Sequence, residues 1–353
     1  MHRRCLAALA AATLSLCISP VALGFSAWST GAANKPASPR TKAHPRKGPK
    51  SGKPRRAART ATKPARAKRP GARRANPVKT HRVTPSFYVR TLSGRRMWRR
   101  GCRTARERSS GIVILAFGRL YERRGTYGTQ TFSGTFAANR AITRSMQTFA
   151  RAYVRCRPRG SRARIVLARG TSNYSPAVPH AYRAGFRWAR ETVAFARFLK
   201  RVGWRRWVRA AAAIDAEPAW NPGFRRTREF FRGYAARRPG IKLYNFGSLD
   251  GGVGSIWTAR QVWYVSSGMR YARMIPEVYF PGMAEQWAEM SRIAVSRYGR
   301  PVRFAGVMTQ KQAVPGCRCG YWPHQAHRRL VRALNAHPKT RVGRLPLTNI
   351  SWE

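Results

Sequence analysis

A chain of 353 residues with 43% apolar side chains can enclose a sizeable core, and 30 Gly with 23 Pro is too modest a share for a wholly unstructured protein. Its 71 Lys/Arg against 11 Asp/Glu give a formal charge of +60. That balance points to a polyanionic partner, although part of an arginine-rich surface is simply solvated.

Residues 1–24 read as a secretory signal peptide. A basic start (His2, Arg3, Arg4) precedes an uncharged apolar stretch from Cys5 to Leu23, and Ala22 and Gly24 form a small-residue cleavage pattern. An uncleaved membrane anchor is the alternative, because the stretch is nearly long enough to span a bilayer. The expected product is secreted or wall-associated. Residues 25–84 form a Lys/Arg/Pro/Ala-rich linker. From Ala33 to Arg82 there are 18 Lys/Arg and no acid, so the segment repels itself and is expected to be extended and disordered. An anionic envelope polymer is its expected partner, with extracellular nucleic acid as an alternative.

Residues 85–353 hold the folded domain, with the remaining 51 Lys/Arg and all 11 acids. Outside the cytoplasm disulfides persist, and Cys102, Cys156, Cys317 and Cys319 allow three pairings. Cys102 with Cys156 is favoured because such a bridge closes a long loop around the first strand-helix unit. Cys317 with Cys319 would make a small ring, so a crossed pairing stays open. A metal site with His324 and His327 is a weaker reading, since the spacing matches no common zinc pattern closely.

From Gly111 onward short β-like runs alternate with amphipathic helical stretches. The runs begin at Gly111, Arg164, Ala211, Ile241, Gln261, Ala272, Val302 and Leu345. Helices are expected over 139–154, 186–202 and 283–298 and after Pro323, from apolar residues at helical spacing. Only the connection over 248–260 is too short for a full crossover helix. Eight strands alternating with helices predict an α/β fold of the (β/α)8 TIM-barrel type, with a doubly wound open sheet as the rival.

Acid is scarce, so a carboxylate inside a strand is informative. Asp215 and Glu217 are two apart and therefore share a face of their strand, at the end where barrel active sites form. Glu277 is a third carboxylate in an apolar strand. Paired carboxylates in a cleft suit glycoside cleavage, one protonating the leaving oxygen and the other acting as nucleophile, base or charge stabiliser, and Glu217 is the expected acid. The structural alternative is that these acids are ion-pair partners of arginines. Asp250, beside a Gly-Gly turn, suits a local turn role better. Tyr174, Trp220, Tyr244, Tyr264, Tyr279 and Trp352 lie near strand ends where flat rings can stack on sugars, and Asn173, Asn245 and Gln310 are candidate hydroxyl binders. Aromatic residues also fill cores. No G-x-S-x-G elbow, H-E-x-x-H or P-loop occurs, and neither a metal nor a cofactor is expected.

The D-x-E pair, the Trp on the final strand and the signal-plus-linker layout resemble secreted glycoside-hydrolase-like barrels, notably chitinase-like family 18 and lysozyme-like family 25, over roughly Gly111 to Glu353. The resemblance implies Glu217 as acid and Asp215 as the residue that positions the substrate's acetamido group. Two departures stand out: Ala211, Ala212, Ala213 and Ile214 replace the longer D-x-x-D-x-D-x-E signature, and the first strand has Ala116 and no acid. A polysaccharide or cell-wall glycan is the implied substrate, and a non-catalytic carbohydrate- or wall-binding barrel is the alternative.

Overall fold

The computed structural model describes residues 82–174, 179–310 and 320–352. The expected signal peptide, nearly all of the linker, and Cys317 and Cys319 lie outside the described residues.

Eight parallel strands form the barrel wall: β1 (Thr84–Tyr88), β2 (Gly111–Arg123), β5 (Ile165–Ser172), β6 (Val208–Asp215), β7 (Leu243–Asn245), β8 (Ala272–Met274), β9 (Val307–Thr309) and β10 (Leu347–Trp352). They follow one another in the order β8-β7-β6-β5-β2-β1-β10-β9. Parallel bridges at Met274–Phe304 and Glu277–Met308 join β8 to β9 and close the ring. Beyond the barrel β2 runs on into an antiparallel excursion with β3 (Thr126–Gln130) and β4 (Phe136–Ala138). Around the wall lie α1 (Gly94–Arg106), α2 (Asn139–Arg155), α3 (Ala181–Arg201), α4 (Arg225–Ala236), α5 (Ala259–Trp263), α6 (Met283–Tyr298) and α7 (Pro323–Asn335). The fold is an α/β barrel of the TIM type.

The expected count of eight strands holds, but by two compensating differences. Residues 261–268 are helical, α5 running into a single π turn over Tyr264–Gly268. Thr258 caps this helix: its hydroxyl accepts the Gln261 N–H at 3.4 Å while Gln261 Oε1 accepts the Thr258 N–H at 2.8 Å, a reciprocal capping box. Val262, Val265 and Met269 then face the core at roughly helical spacing. The connection expected to be too short for a crossover helix therefore leads into one. The eighth strand is β1, whose alternation of Ser86 and Tyr88 inward with Phe87 and Val89 outward follows directly on the basic segment.

Two apolar zones result. Inside the barrel, Tyr88, Ile112, Ile114, Ala116, Ala168, Ala211, Ala213, Tyr244, Phe246, Ile275, Met308 and Ile350 fill the lumen, and the small residues of β2, β5 and β6 leave room for larger ones opposite. Outside, strand residues of the other parity pack under the helices, with Trp188, Trp257 and Trp287 fully buried. Gly185 in α3 and Gly233 in α4 meet the partner helix's backbone so closely that neither site has space for a Cβ. α1 carries six arginines among its thirteen residues, which dilutes its apolar period, and it buries only Met97, Arg100, Gly101, Cys102, Thr104 and Ala105. A disulfide joins Cys102 in α1 to Cys156 at the end of α2.

Candidate active site

The strand end of β6 is shaped to present its two acids. Asn173, just past β5, holds the Glu217 backbone from both sides: its Oδ1 accepts the Glu217 N–H at 3.1 Å and its Nδ2 donates to the Glu217 carbonyl at 3.0 Å and to Thr227 Oγ1 at 3.1 Å. Asn245 on β7 takes the Ala216 N–H at 3.1 Å and the Gly247 N–H at 3.3 Å. The chain beyond Asp215 is thus fixed by side-chain amides where strand pairing ends. Gly247 lies against the Ala216 carbonyl and Glu217 Cγ, where a Cβ would collide. Continuing the register places Ser248 and Glu277 level with Glu217, and Asp215 one inward position deeper.

Asp215, Glu217 and Glu277 come together. One carboxylate oxygen from each lies within 4.8 Å of the others, and the residues are 4%, 8% and 5% exposed. Burial first, then the Glu217 and Asp250 charges, drive the Asp215 carboxyl well above its ordinary range. Burial and then Asp215 and Glu217 do the same to Glu277. Glu217 is pushed up to about 7 by burial and Asp250, with hydrogen bonds from Ser248 and Glu277 opposing the rise. The Ser248 N–H donates to Glu217 Oε1 at 3.1 Å. The three acids are best regarded as one titrating group that shares protons.

No basic side chain pairs with any of the three among the described residues, in a chain with 71 Lys/Arg. The ion-pair alternative for these acids therefore fails. Asp215 Oδ1 is buried without any hydrogen-bond partner, and so is the Tyr279 hydroxyl, which faces Glu277 and Tyr88 without a well-aligned bond to either. A buried polar atom left unpaired costs stability of order 1–3 kcal/mol, and in a native fold it calls for an explanation such as a catalytic role or a bound water or ion. The three oxygens also offer the hard donor set of a divalent cation.

The remaining candidates divide by position. Tyr174, 47% exposed, meets Trp220 edge-on at 5.9 Å with the Arg119 guanidinium 5.5 Å from its ring, which makes an aromatic ledge beside the β6 end. Trp352 packs on Tyr88 at 4.6 Å and Phe132 at 5.0 Å, a second cluster at the mouth built from β10, β1 and the turn before β4. Gln310 Nε2 donates to Tyr88 Oη at 2.9 Å. Asp250 accepts from the Ala219 N–H at 2.8 Å and from Ser248 Oγ, the turn role expected of it, while adding charge near Glu217.

Four placements correct the expectations. Asn173 and Asn245 have their side-chain oxygens committed to the backbone and act as brackets rather than hydroxyl binders. Tyr244 is a lumen residue paired in register with Ala213, below the acids. Tyr264, in the π turn, packs on Phe224 and Phe231 at 6.2 Å in the outer layer. Tyr88, Phe132 and Ser248 join the site without having been expected there. Alternation in the TPSFYV run carries the signal for Tyr88, whereas Phe132 and Ser248 reach the mouth only through loop geometry.

No family model matches the chain, and no curated protein matches it. Similar solved structures include a sugar phosphate isomerase/epimerase from Parabacteroides distasonis, with TM-score 0.35, 10% identity, and coverage of 79% of this chain and 88% of that one. A psychrophilic glycoside hydrolase family 10 endo-β-1,4-xylanase gives 0.36 and 9%, covering 77% and 86%. A GH5-4 broad specificity endoglucanase from an uncultured bacterium gives 0.35 and 10%, covering 72% and 76%. At these values the likeness assigns no activity. The strand order and the carboxylate geometry define the class: a TIM-type barrel with an acid-lined mouth.

Proposed function

We propose that the chain is a glycan-cleaving hydrolase, exported and held on an anionic envelope by its basic 25–84 segment. The observation that carries this reading is the convergence of Asp215, Glu217 and Glu277 at the barrel mouth, buried and without a cationic partner among the described residues. A proton held at a pKa of about 7 is available at neutral pH to a leaving oxygen.

In this reading the glycosidic C–O bond breaks, its electron pair passes to the leaving oxygen, and that oxygen takes the Glu217 proton. In the state of the proton-sharing cluster in which Glu217 holds the proton and Glu277 is ionised, Glu277, level with Glu217 on the neighbouring side of the mouth, bonds to the anomeric carbon as its positive charge develops, and Asp215 lies beneath. Water then replaces Glu277 at the carbon and returns a proton to Glu217. One oxygen from each carboxyl group lies within 4.8 Å of the others, a closer approach than the roughly 6.5–9.5 Å between the carboxyl groups of an inverting site, which favours retention of configuration. The Tyr174–Trp220 ledge would stack on a sugar face.

The test is release of reducing ends from cell-wall glycan or chitin-type oligosaccharide by the wild type and by Glu217→Gln, with the anomer of the first product read by NMR. Equal release by both proteins removes Glu217 from the reaction. A second reading, a divalent cation held by the three oxygens, is favoured by their mutual approach. Activity abolished by chelation and restored by Mg²⁺ or Mn²⁺ would select it.

A further inference from the structure

The end of the barrel away from the carboxylates holds a second feature that the proposed reaction does not use. Arg82 precedes β1, Arg108 precedes β2, Arg159 and Arg162 precede β5, and Arg344 precedes β10. These four strands are neighbours in the sheet, so the five arginines meet at the N-terminal face. They wall a cavity of about 810 Å³. Among the described residues its lining contains no Asp or Glu and no aromatic residue. Arg82, Arg108, Arg159 and Arg162 take part in no ion pair among the described residues.

The walls are built rather than incidental. The Cys102–Cys156 bridge ties α1 to the end of α2, immediately before the two segments that supply Arg108, Arg159 and Arg162. Thr84 Oγ1 donates to the Ser110 carbonyl at 2.9 Å, and Ser110 Oγ accepts the Arg164 N–H at 3.2 Å, which links the strand starts across the floor. Arg157 donates to the Ser161 carbonyl, and Ser161 Oγ accepts the Ala163 N–H at 3.3 Å, which fixes the loop carrying Arg159 and Arg162. Exposed guanidinium groups that line one cavity, four of them without an ion pair among the described residues, attract anions with several oxygens, because each fork donates to two of them. A volume of 810 Å³ exceeds what one tetrahedral anion fills and falls in the range of whole-ligand sites. Sequence continuity adds direction, since the acid-free 33–82 run ends at Arg82, in this wall.

We propose that this cavity binds successive phosphates of a flexible phosphodiester polymer without bases. Nucleic-acid strands are favoured by aromatic side chains on which bases stack, and this lining has none. The site is independent of the hydrolase reading.

The test measures anisotropy of a labelled oligo(glycerol phosphate) on the full chain across a salt series. Arg108→Gln/Arg159→Gln/Arg162→Gln should weaken binding at least tenfold and lower the slope of log affinity against log salt by about two, at ~0.7 for each phosphate that an arginine no longer neutralises. Removal of equal charge elsewhere, by Arg187→Gln/Arg292→Gln/Arg297→Gln on α3 and α6, should change affinity less than threefold. Matching thermal melts confirm that both triple variants fold. Equal weakening by the two triples would overturn the proposal in favour of diffuse charge, and no weakening by the first would assign binding to the basic segment. Displacement by inorganic phosphate at equal phosphate concentration would reduce the site to one for a single ion. Displacement by oligothymidylate as effective as by the polymer would overturn the preference for a base-free chain.

Discussion

The two ends of the barrel carry opposite charge problems. At the N-terminal face five arginines line one cavity with no acid among them. At the C-terminal mouth three acids crowd within 4.8 Å with no base among the described residues paired to them. Any of these arginines could in principle have neutralised an acid, yet the fold keeps the groups at opposite ends of its strands. A net charge of +60 conceals this separation. It also explains why charge alone says so little about chemistry: the abundant sign lies away from the scarce groups that can transfer protons.

The largest effect expected at the mouth is on turnover. Glu217→Gln should lower glycan cleavage by about 10²–10⁴-fold, the usual contribution of a positioned general acid, in a reducing-end assay. The first arginine triple should leave that rate unchanged, and a matching loss there would break the comparison between the ends. Next is the brace of the N-terminal face. Cys102→Ala/Cys156→Ala opens a loop of sequence separation 54 and should cost roughly 4 kcal/mol of stability in the chain-entropy picture, visible as a lower thermal midpoint and weaker polyanion binding.

A third effect is pH-dependent. Glu217 has its pKa raised from 4.5 to about 7, so the unfolded chain gives up this proton first as pH rises. Asp215 and Glu277 are raised in the same direction, so the stability that the protonated cluster allows is present below pH 4.5 and is lost as pH rises through 7. Chemical denaturation at pH 4.5 and 8 should show that loss, and Asp215→Asn/Glu217→Gln/Glu277→Gln should flatten it. The smallest effect is at the aromatic ledge. Tyr174→Ala should raise KM by about tenfold or less with little change in kcat, in keeping with a stacking contact of ~0.5–1.5 kcal/mol.

Much of this molecule is legible in its residues. The D-x-E spacing at the end of an apolar run places two acids on one face, because side chains in a strand alternate. The Cys102–Cys156 bridge follows from two cysteines that bracket the first unit, and α6 is expected over the residues it occupies. Residues 261–268 resemble a strand because Val262, Trp263, Tyr264 and Val265 form a short run of β-branched and aromatic side chains, while the Thr258–Gln261 box that selects helix lies just before and at the start of that run. Tyr88 is hard to single out because its strand abuts a basic segment that masks the start of the fold. Asn173 and Asn245 suggest the wrong role because an amide that binds sugar and an amide that brackets backbone have the same sequence signature.

By itself, then, the sequence determined what depends on local spacing: the alternating elements, the shared face of Asp215 and Glu217, and the crowding of cations into particular segments. Only the tertiary structure decided what depends on distant segments meeting. It brought Glu277 from just beyond β8 to the β6 acids, put Tyr88 and Trp352 from opposite ends of the domain 4.6 Å apart, and gathered arginines from four strand starts into one cavity. The physical reason is ring closure. A parallel barrel places every strand's carboxyl end at one mouth and every amino end at the other, so residues far apart in sequence meet wherever they hold the same position along their strands.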